Sequence, residues 1–211
     1  MSDIFDYSFR KILAKSASDA PTPGGGSISA LAGALGVAMV AMVGHLTMGR
    51  PKYAEVEAEA RDVTGKAYLV MAELEKLMAA DIAAFSKLMD AYRLPRDSGE
   101  EKSRREEAVQ KAAKRRLPGM PLEIAETLLE ALAITERISR VGNKMAISDA
   151  GVAAYLCEAA LQAVLLNVDI NVGTINEPDF VAGVNQKRKE LANKAGQLRD
   201  TALAAVKKRI Y

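Results

Sequence analysis

Position 81 carries an acid where the pattern of its neighbours asks for an apolar side chain. Asp81 follows Leu77 by four residues and Met78 by three, and precedes Phe85 by four. In a helix that spacing puts it on the apolar face, between the small side chains of Ala80 and Ala84. A carboxylate there loses hydration, and burial disfavours its charged form, which suits it to exchange a proton near neutral pH. The same spacing is met by an Asp at the edge of the stripe, reaching water or a basic partner.

Asn167 and Asn171 stand one helical turn apart within Leu165–Val172, a stretch otherwise dominated by apolar residues. Buried amides need partners, and two in line either satisfy each other or read a flat heterocycle that offers donors and acceptors. Gly24, Gly25, Gly26 and Ser27 open a helix, where free N–H groups and the dipole favour an anion. No Gly-Lys-Ser/Thr follows and no strand precedes, so this is neither a Walker loop nor a dinucleotide fingerprint, and a plain tight turn also explains it. Gly142-Asn143 and Ser148-Asp149 read first as a helix stop and a helix cap. His45 is the single histidine and reads as a satisfied core residue, while Cys157 is the single cysteine. One His and one Cys support neither a Cys/His metal cluster nor a Ser-His-Asp or Cys-His nucleophile set, so no metal site is expected.

These residues are carried by helices. A short amphipathic helix is expected over Tyr7–Ala14, anchored by Phe9, Ile12 and Leu13. Pro21–Gly26 is expected to form a tight loop, and Ser27 to cap the uncharged helix Ile28–Met48. Ala30, Ala34 and Ala38 beside Gly33, Gly36 and Gly44 let that helix approach another closely, within the chain or across a dimer. Gly49 and Pro51 end it. A long stripe from Lys52 to Tyr92 predicts one helix, or two meeting near Gly65, and Ser98 is placed to cap a charged helix over Glu100–Arg116. Pro118-Gly119 separates that helix from one running from Pro121 to Val141. Asp149 is placed to cap a helix over Ala150–Val172, and a last one starts at Pro178. No strand alternation and no internal repeat are present, so the expected fold is all-α. It is a single-domain bundle of long antiparallel helices spanning residues 1–211.

The 211 residues carry a net charge of +2, with 49% hydrophobic and 5% aromatic side chains and no Trp. That balance suits closely packed helices and points away from nucleic acid or an acidic tail. Lys111, Lys114, Arg115 and Arg116 are matched by Glu100, Glu101, Glu106 and Glu107, as on a solvated helix face. The segment 28–48 is long enough to span a bilayer, yet it is rich in Ala and Gly, and a buried central helix is the expected reading. A lone cysteine and a charged N-terminus without a signal core fit a reducing, cytoplasmic setting.

Ordered blocks along the chain resemble the formiminotetrahydrofolate cyclodeaminases and methenyltetrahydrofolate cyclohydrolases. They are Pro21–Ser27, Leu46–Tyr53, Asp81 with Ala84-Phe85, Ala91–Pro95 leading to Glu100–Lys102, Met120–Leu122, Gly142-Asn143 with Ser148-Asp149, and Asn167–Asn171. The resemblance implies an all-helical homodimer that needs no metal or cofactor, takes a tetrahydrofolate derivative as substrate, and uses Asp81 as its acid/base. It also implies that Gly24, Gly25, Gly26, Ser27, Asn143, Asp149, Asn167 and Asn171 border the folate. Arg50, Lys52 and Tyr53 would stand near it, the two cations meeting glutamate carboxylates. Met145 stands where many relatives have a second Asn, and Pro51 where a basic residue is frequent. Thr47–Tyr53 and Ile147–Val152 look closer to the cyclohydrolase, so hydrolysis of 5,10-methenyltetrahydrofolate to 10-formyltetrahydrofolate is the expected reaction. The alternatives are the cyclodeaminase, which forms the methenyl compound and ammonia from 5-formiminotetrahydrofolate, and a non-catalytic folate-binding helical dimer.

Overall fold

A computed structural model describes residues 4–116, 119–173, 175 and 177–211. Seven α-helices carry the chain: α1 (Phe9–Ser16), α2 (Gly25–Thr47), α3 (Glu57–Tyr92), α4 (Gly99–Arg116), α5 (Gly119–Val141), α6 (Ile147–Val172) and α7 (Pro178–Ile210). Short 3-10 turns precede α1, α3 and α6, and no strand occurs among the described residues. The expected break at Pro118 lies outside them, as do the side chains of Lys114, Arg115 and Arg116.

The uncharged helix α2 is the centre of the bundle because its small residues let three neighbours press against its backbone. A side chain at Gly33 would collide with Leu128 of α5, one at Gly36 with Cys157 of α6, and one at Gly44 with Thr64 of α3. The small-residue row therefore works inside one chain. Contacts Gly26–Asp81 and Gly44–Thr64 set α3 antiparallel to α2. Gly25–Asn167 and Gly36–Cys157 do the same for α6, whereas Gly33–Leu128 and Gly142–Val43 run α5 parallel to α2. Along α7, Arg188 pairs with Asp169 and Val206 lies over Gly151, so α7 is antiparallel to α6. Leu74, Leu128, Leu132, Ile138 and Leu161 are fully buried between these helices in one continuous core. Each is worth a few kcal/mol against truncation, about 2–5 for Leu→Ala.

Several boundaries differ from expectation for identifiable reasons. Helix α2 starts at Gly25 with Gly24 as its cap, so Ser27 lies inside the first turn and is not the capping residue. Helix α6 likewise starts at Ile147 after Ala146, placing Asp149 in its first turn rather than at its cap. Helix α3 runs unbroken through Gly65, where the core stripe Val63, Ala67, Val70 continues; a single helical Gly costs only about 1 kcal/mol. Its first turns, Pro51–Val56, are 3-10 and bend at Tyr53. Helix α1 is shifted to Phe9–Ser16, capped by Ser8, and only Ile12 is buried; Phe9 and Leu13 face outward. Gly49, with φ of +69°, and Pro51 end α2 as expected.

Candidate active site at the amino-terminal end of α2

Asp81 is 5% exposed and faces the first turn of α2. The Ser27 hydroxyl donates to its Oδ2 at 2.6 Å. A Cβ built on Gly26 would stand 3.0 Å from Asp81 Oδ2 and 3.2 Å from Cγ, closer than real side chains pack. The glycine is therefore what allows the carboxylate to seat against the helix backbone. There the partial positive charge of the N-terminal amides attracts an anion.

The third element is α6. The Asn167 amide lies over Gly25, with both its nitrogen and its oxygen 3.5 Å from where a Cβ would stand. Among the described residues this half-buried amide makes no hydrogen bond, so its donor and acceptor are open to a ligand. Asn171 follows one turn along α6 and is also half-buried. Between the two amides, Asp169 holds Arg188 of α7 in a two-point pair, Nε to Oδ1 at 2.5 Å and Nη2 to Oδ2 at 2.7 Å. That pair fixes α7 across this end of α6. The arrangement joins one buried acid, a hydroxyl bonded to it and an open amide, beside a glycine turn that leaves backbone exposed. It can exchange a proton and read the edge of a planar, hydrogen-bonding ring.

The remaining candidates gather at the opposite end of α2, about 30 Å away along the helix. Asn143 caps the turn before α6, its N–H donating to Thr47 Oγ1 at 2.8 Å and its Nδ2 to the Leu46 carbonyl at 2.7 Å. The Tyr53 hydroxyl donates to Asn143 Oδ1 at 3.3 Å and accepts from the Lys144 N–H at 2.9 Å. Arg50 and Lys52 are exposed on the same turn, and Asp149 is half-buried at the adjoining start of α6. Within one chain, then, Gly25, Gly26, Ser27, Asp81, Asn167 and Asn171 share one end, with Gly24 capping the helix beside them. Arg50, Lys52, Tyr53, Asn143 and Asp149 do not reach that end. Thr47 is the residue the sequence reading passed over. It is buried and anchors Asn143, and a lone Thr in the last turn of an uncharged helix was its signal. His45 is not in the core: it is exposed on α2, its Nε2 3.0 Å from the Tyr68 hydroxyl. No group of three or more His, Cys, Asp or Glu suited to a metal occurs among the described residues.

A family model described as formiminotransferase-cyclodeaminase matches residues 8–190, which includes both clusters. The chain belongs to that family. It is 37% identical to a methenyltetrahydrofolate cyclohydrolase of Methylorubrum extorquens, over 92% of this chain and 93% of that protein. It is 30% identical to the mouse formimidoyltransferase-cyclodeaminase over 91% of this chain, which is only 35% of the mouse protein. The crystal structure of formiminotetrahydrofolate cyclodeaminase from Thermotoga maritima superposes with a TM-score of 0.83 at 25% identity, covering 99% of this chain and all of that one. The family resemblance and the all-helical fold read from the sequence are thus both present.

Proposed function

We propose that this protein is a folate one-carbon enzyme, a methenyltetrahydrofolate cyclohydrolase, with Asp81 as its acid/base. One observation carries the assignment of Asp81: it is the buried acid at the glycine turn, joined to Ser27 and bordered by the open amide of Asn167. The choice of reaction follows the Methylorubrum relative, which matches along nearly the full length of both chains.

The chemistry is a hydration followed by ring opening. Water adds to the carbon bridging N5 and N10 of the methenyl cation while Asp81 takes its proton. The hydroxyl carbon is then tetrahedral. Asp81 returns the proton to N5 as the N5–carbon bond breaks, the hydroxyl proton leaves to solvent, and the formyl group stays on N10. A positioned acid/base of this kind contributes about 10²–10⁴-fold. As a carboxylate Asp81 also faces the cation at short range in a site with little water. The Ser27 hydroxyl holds it in place, and Asn167 and Asn171 orient the pterin. No step calls on a resident cofactor.

The active form we propose is a homodimer of a single helical domain spanning residues 1–211. An antiparallel contact between the outer faces of two α2 helices would bring the Arg50–Tyr53 turn, Asn143 and Asp149 of one copy toward Asp81 of the other. Two helices, α2 and the one ending at Val172, are long and apolar enough to cross a membrane, with 56% and 50% of their apolar windows buried in the bundle. That packing supports a soluble protein, for which we propose the cytoplasmic setting expected from the sequence.

A second reading, the cyclodeaminase, is supported by the Thermotoga likeness over the whole chain. There N10 attacks the formimino carbon on N5 and the protonated amine leaves as ammonia, again through a tetrahedral carbon. One assay separates the two. Loss of methenyltetrahydrofolate absorbance above the uncatalysed rate is expected, and its appearance from 5-formiminotetrahydrofolate would instead establish the deaminase. Binding of folate without turnover of either compound would reduce the protein to a carrier.

A further inference from the structure

A cleft of about 700 Å³ lies between the N-terminal segment and α3, and no candidate residue so far lines it. One wall is apolar, including Ile82; the rim carries Tyr7, Lys15, Thr22, Ser86 and Lys87. It shares the Pro21–Ser27 loop with the active site. Gly26 and Ser27 meet Asp81, while Thr22 and Pro23 line the cleft beside Ile82. Asp81 and Ile82 are successive residues of α3, so their side chains point about 100° apart, and the loop spans both faces. The acid and the cleft are therefore neighbours around α3, with the loop bordering both.

We infer that this cleft holds the p-aminobenzoyl-glutamate end of the substrate, the aryl ring on the apolar wall and the carboxylates on Lys15 and Lys87. The inference rests on the folate reading given above and names where the substrate's anionic end goes. Two features of the site point to such a ligand. Among the described residues neither Lys15 nor Lys87 takes part in an ion pair, although Asp90 nearby is occupied by Arg93. Lys87 also lines a second hollow of about 390 Å³ with Lys111 and with Asp90, whose carboxylate is paired with Arg93, so a longer γ-linked glutamyl chain passing Lys87 would meet a third cation. Arg50 and Lys52, about 30 Å from this loop along α2, have no such relation to the cleft within one chain.

The test uses the tail alone, so that it does not depend on catalysis. Calorimetry with p-aminobenzoyl-triglutamate should show binding to the wild-type protein. Lys15→Gln/Lys87→Gln should weaken it about 10-fold, the loss of two partly exposed ion pairs. Lys208→Gln, a charge change on α7 away from the cleft, should leave it unaltered. In the turnover assay the same double variant should lose most of the KM advantage of triglutamyl over monoglutamyl substrate. Failure of the tail to bind the wild-type protein, or equal binding to wild type and double variant, would overturn the inference even if methenyltetrahydrofolate is hydrolysed. Absence of turnover, with the tail bound through Lys15 and Lys87, would instead remove the proposed reaction and leave the binding site standing.

Discussion

The centre of the site is a contact in which a side chain is missing on purpose: Gly26 gives Asp81 the room to sit against the first turn of α2. Replacing Asp81 by Asn keeps that shape and removes the proton acceptor. Turnover is expected to fall about 10²–10⁴-fold with the fold intact. Near-normal turnover by a folded Asp81→Asn protein would end the acid/base assignment. Gly26→Ala tests position rather than identity. Its methyl group would stand 3.0–3.2 Å from the carboxylate, so Asp81 must shift and kcat should drop while the far-UV spectrum is kept. Cys157 is the opposite case. Burial pushes its thiol up to about 12 and it lies 3.8 Å from the Gly33 carbonyl, so it carries no reactive thiolate at neutral pH. Alkylation of the native protein should track global unfolding, and rapid labelling under native conditions would contradict the packing. The sequence disclosed Asp81 because one acid interrupted a 3.6-residue apolar stripe. It did not disclose that Ser27 would bond to it, because the partners are 54 residues apart and their meeting depends on how α2 and α3 pack.

At the level of elements, local signals work where the ends of a helix close on themselves. Ser98 and Glu101 form a reciprocal cap on α4: the Ser98 N–H donates to Glu101 Oε2 at 2.9 Å and the Glu101 N–H to Ser98 Oγ at 3.2 Å. The backbone hydrogen bond from Ser98 is the main cause that holds the Glu101 carboxyl below its ordinary value. A carboxyl depressed in the folded state stabilises it above the unfolded pKa, and that contribution disappears as pH falls through the folded one. The protection of amides at the start of α4, taken relative to their intrinsic exchange rate at each pH, should therefore fall on acidification below the usual glutamate range, about 4.3. Ser98→Ala should show faster exchange already at neutral pH; an α4 indifferent to both would refute the cap. Long-range caps are less legible. Arg209, in the last turn of α7, donates to the carbonyls of Arg140 and Gly142 at 2.7 and 2.6 Å, closing the end of α5. Nothing in a terminal Lys-Lys-Arg indicates this. Asp149 and Ser27 satisfy the capping rule without capping: a Ser or Asp near a helix start fits it, but whether the helix begins a turn earlier is decided by neighbours.

At the scale of the whole molecule, the proposed dimer would account for candidate residues falling at two ends. The face of α2 turned away from the bundle carries Ile28, Leu31, Leu35, Ala38, Met42 and Leu46 without a charge, and Leu35 is 49% exposed. Helix α6 adds Val152, Tyr155, Leu166 and Ile170, the last 73% exposed, on one stripe beside it. Two helices roughly 35 Å long and about 9 Å apart present a surface comparable with what each partner of a stable complex buries. A two-fold contact across α2 makes the same patch meet itself, and an axis perpendicular to the helix runs the two copies antiparallel. In the proposed dimer the far turn of one copy would then lie at the acid-bearing end of the other. Leu35→Glu should yield a soluble helical monomer in sedimentation and lose turnover, because each site is left half-built. Complementation makes the sharper test. Asp81→Asn and Asn143→Ala are each expected to be nearly inactive as homodimers. Unfolded and refolded together, half of their dimers pair one of each chain, and one site in such a dimer combines an intact Asp81 with the other copy's intact Asn143. Activity of about a quarter of the wild type should return. A mixture no more active than its parts, with heterodimers shown to be present, would mean that each chain works alone and that the distal cluster serves only to hold α2, α5 and α6 together.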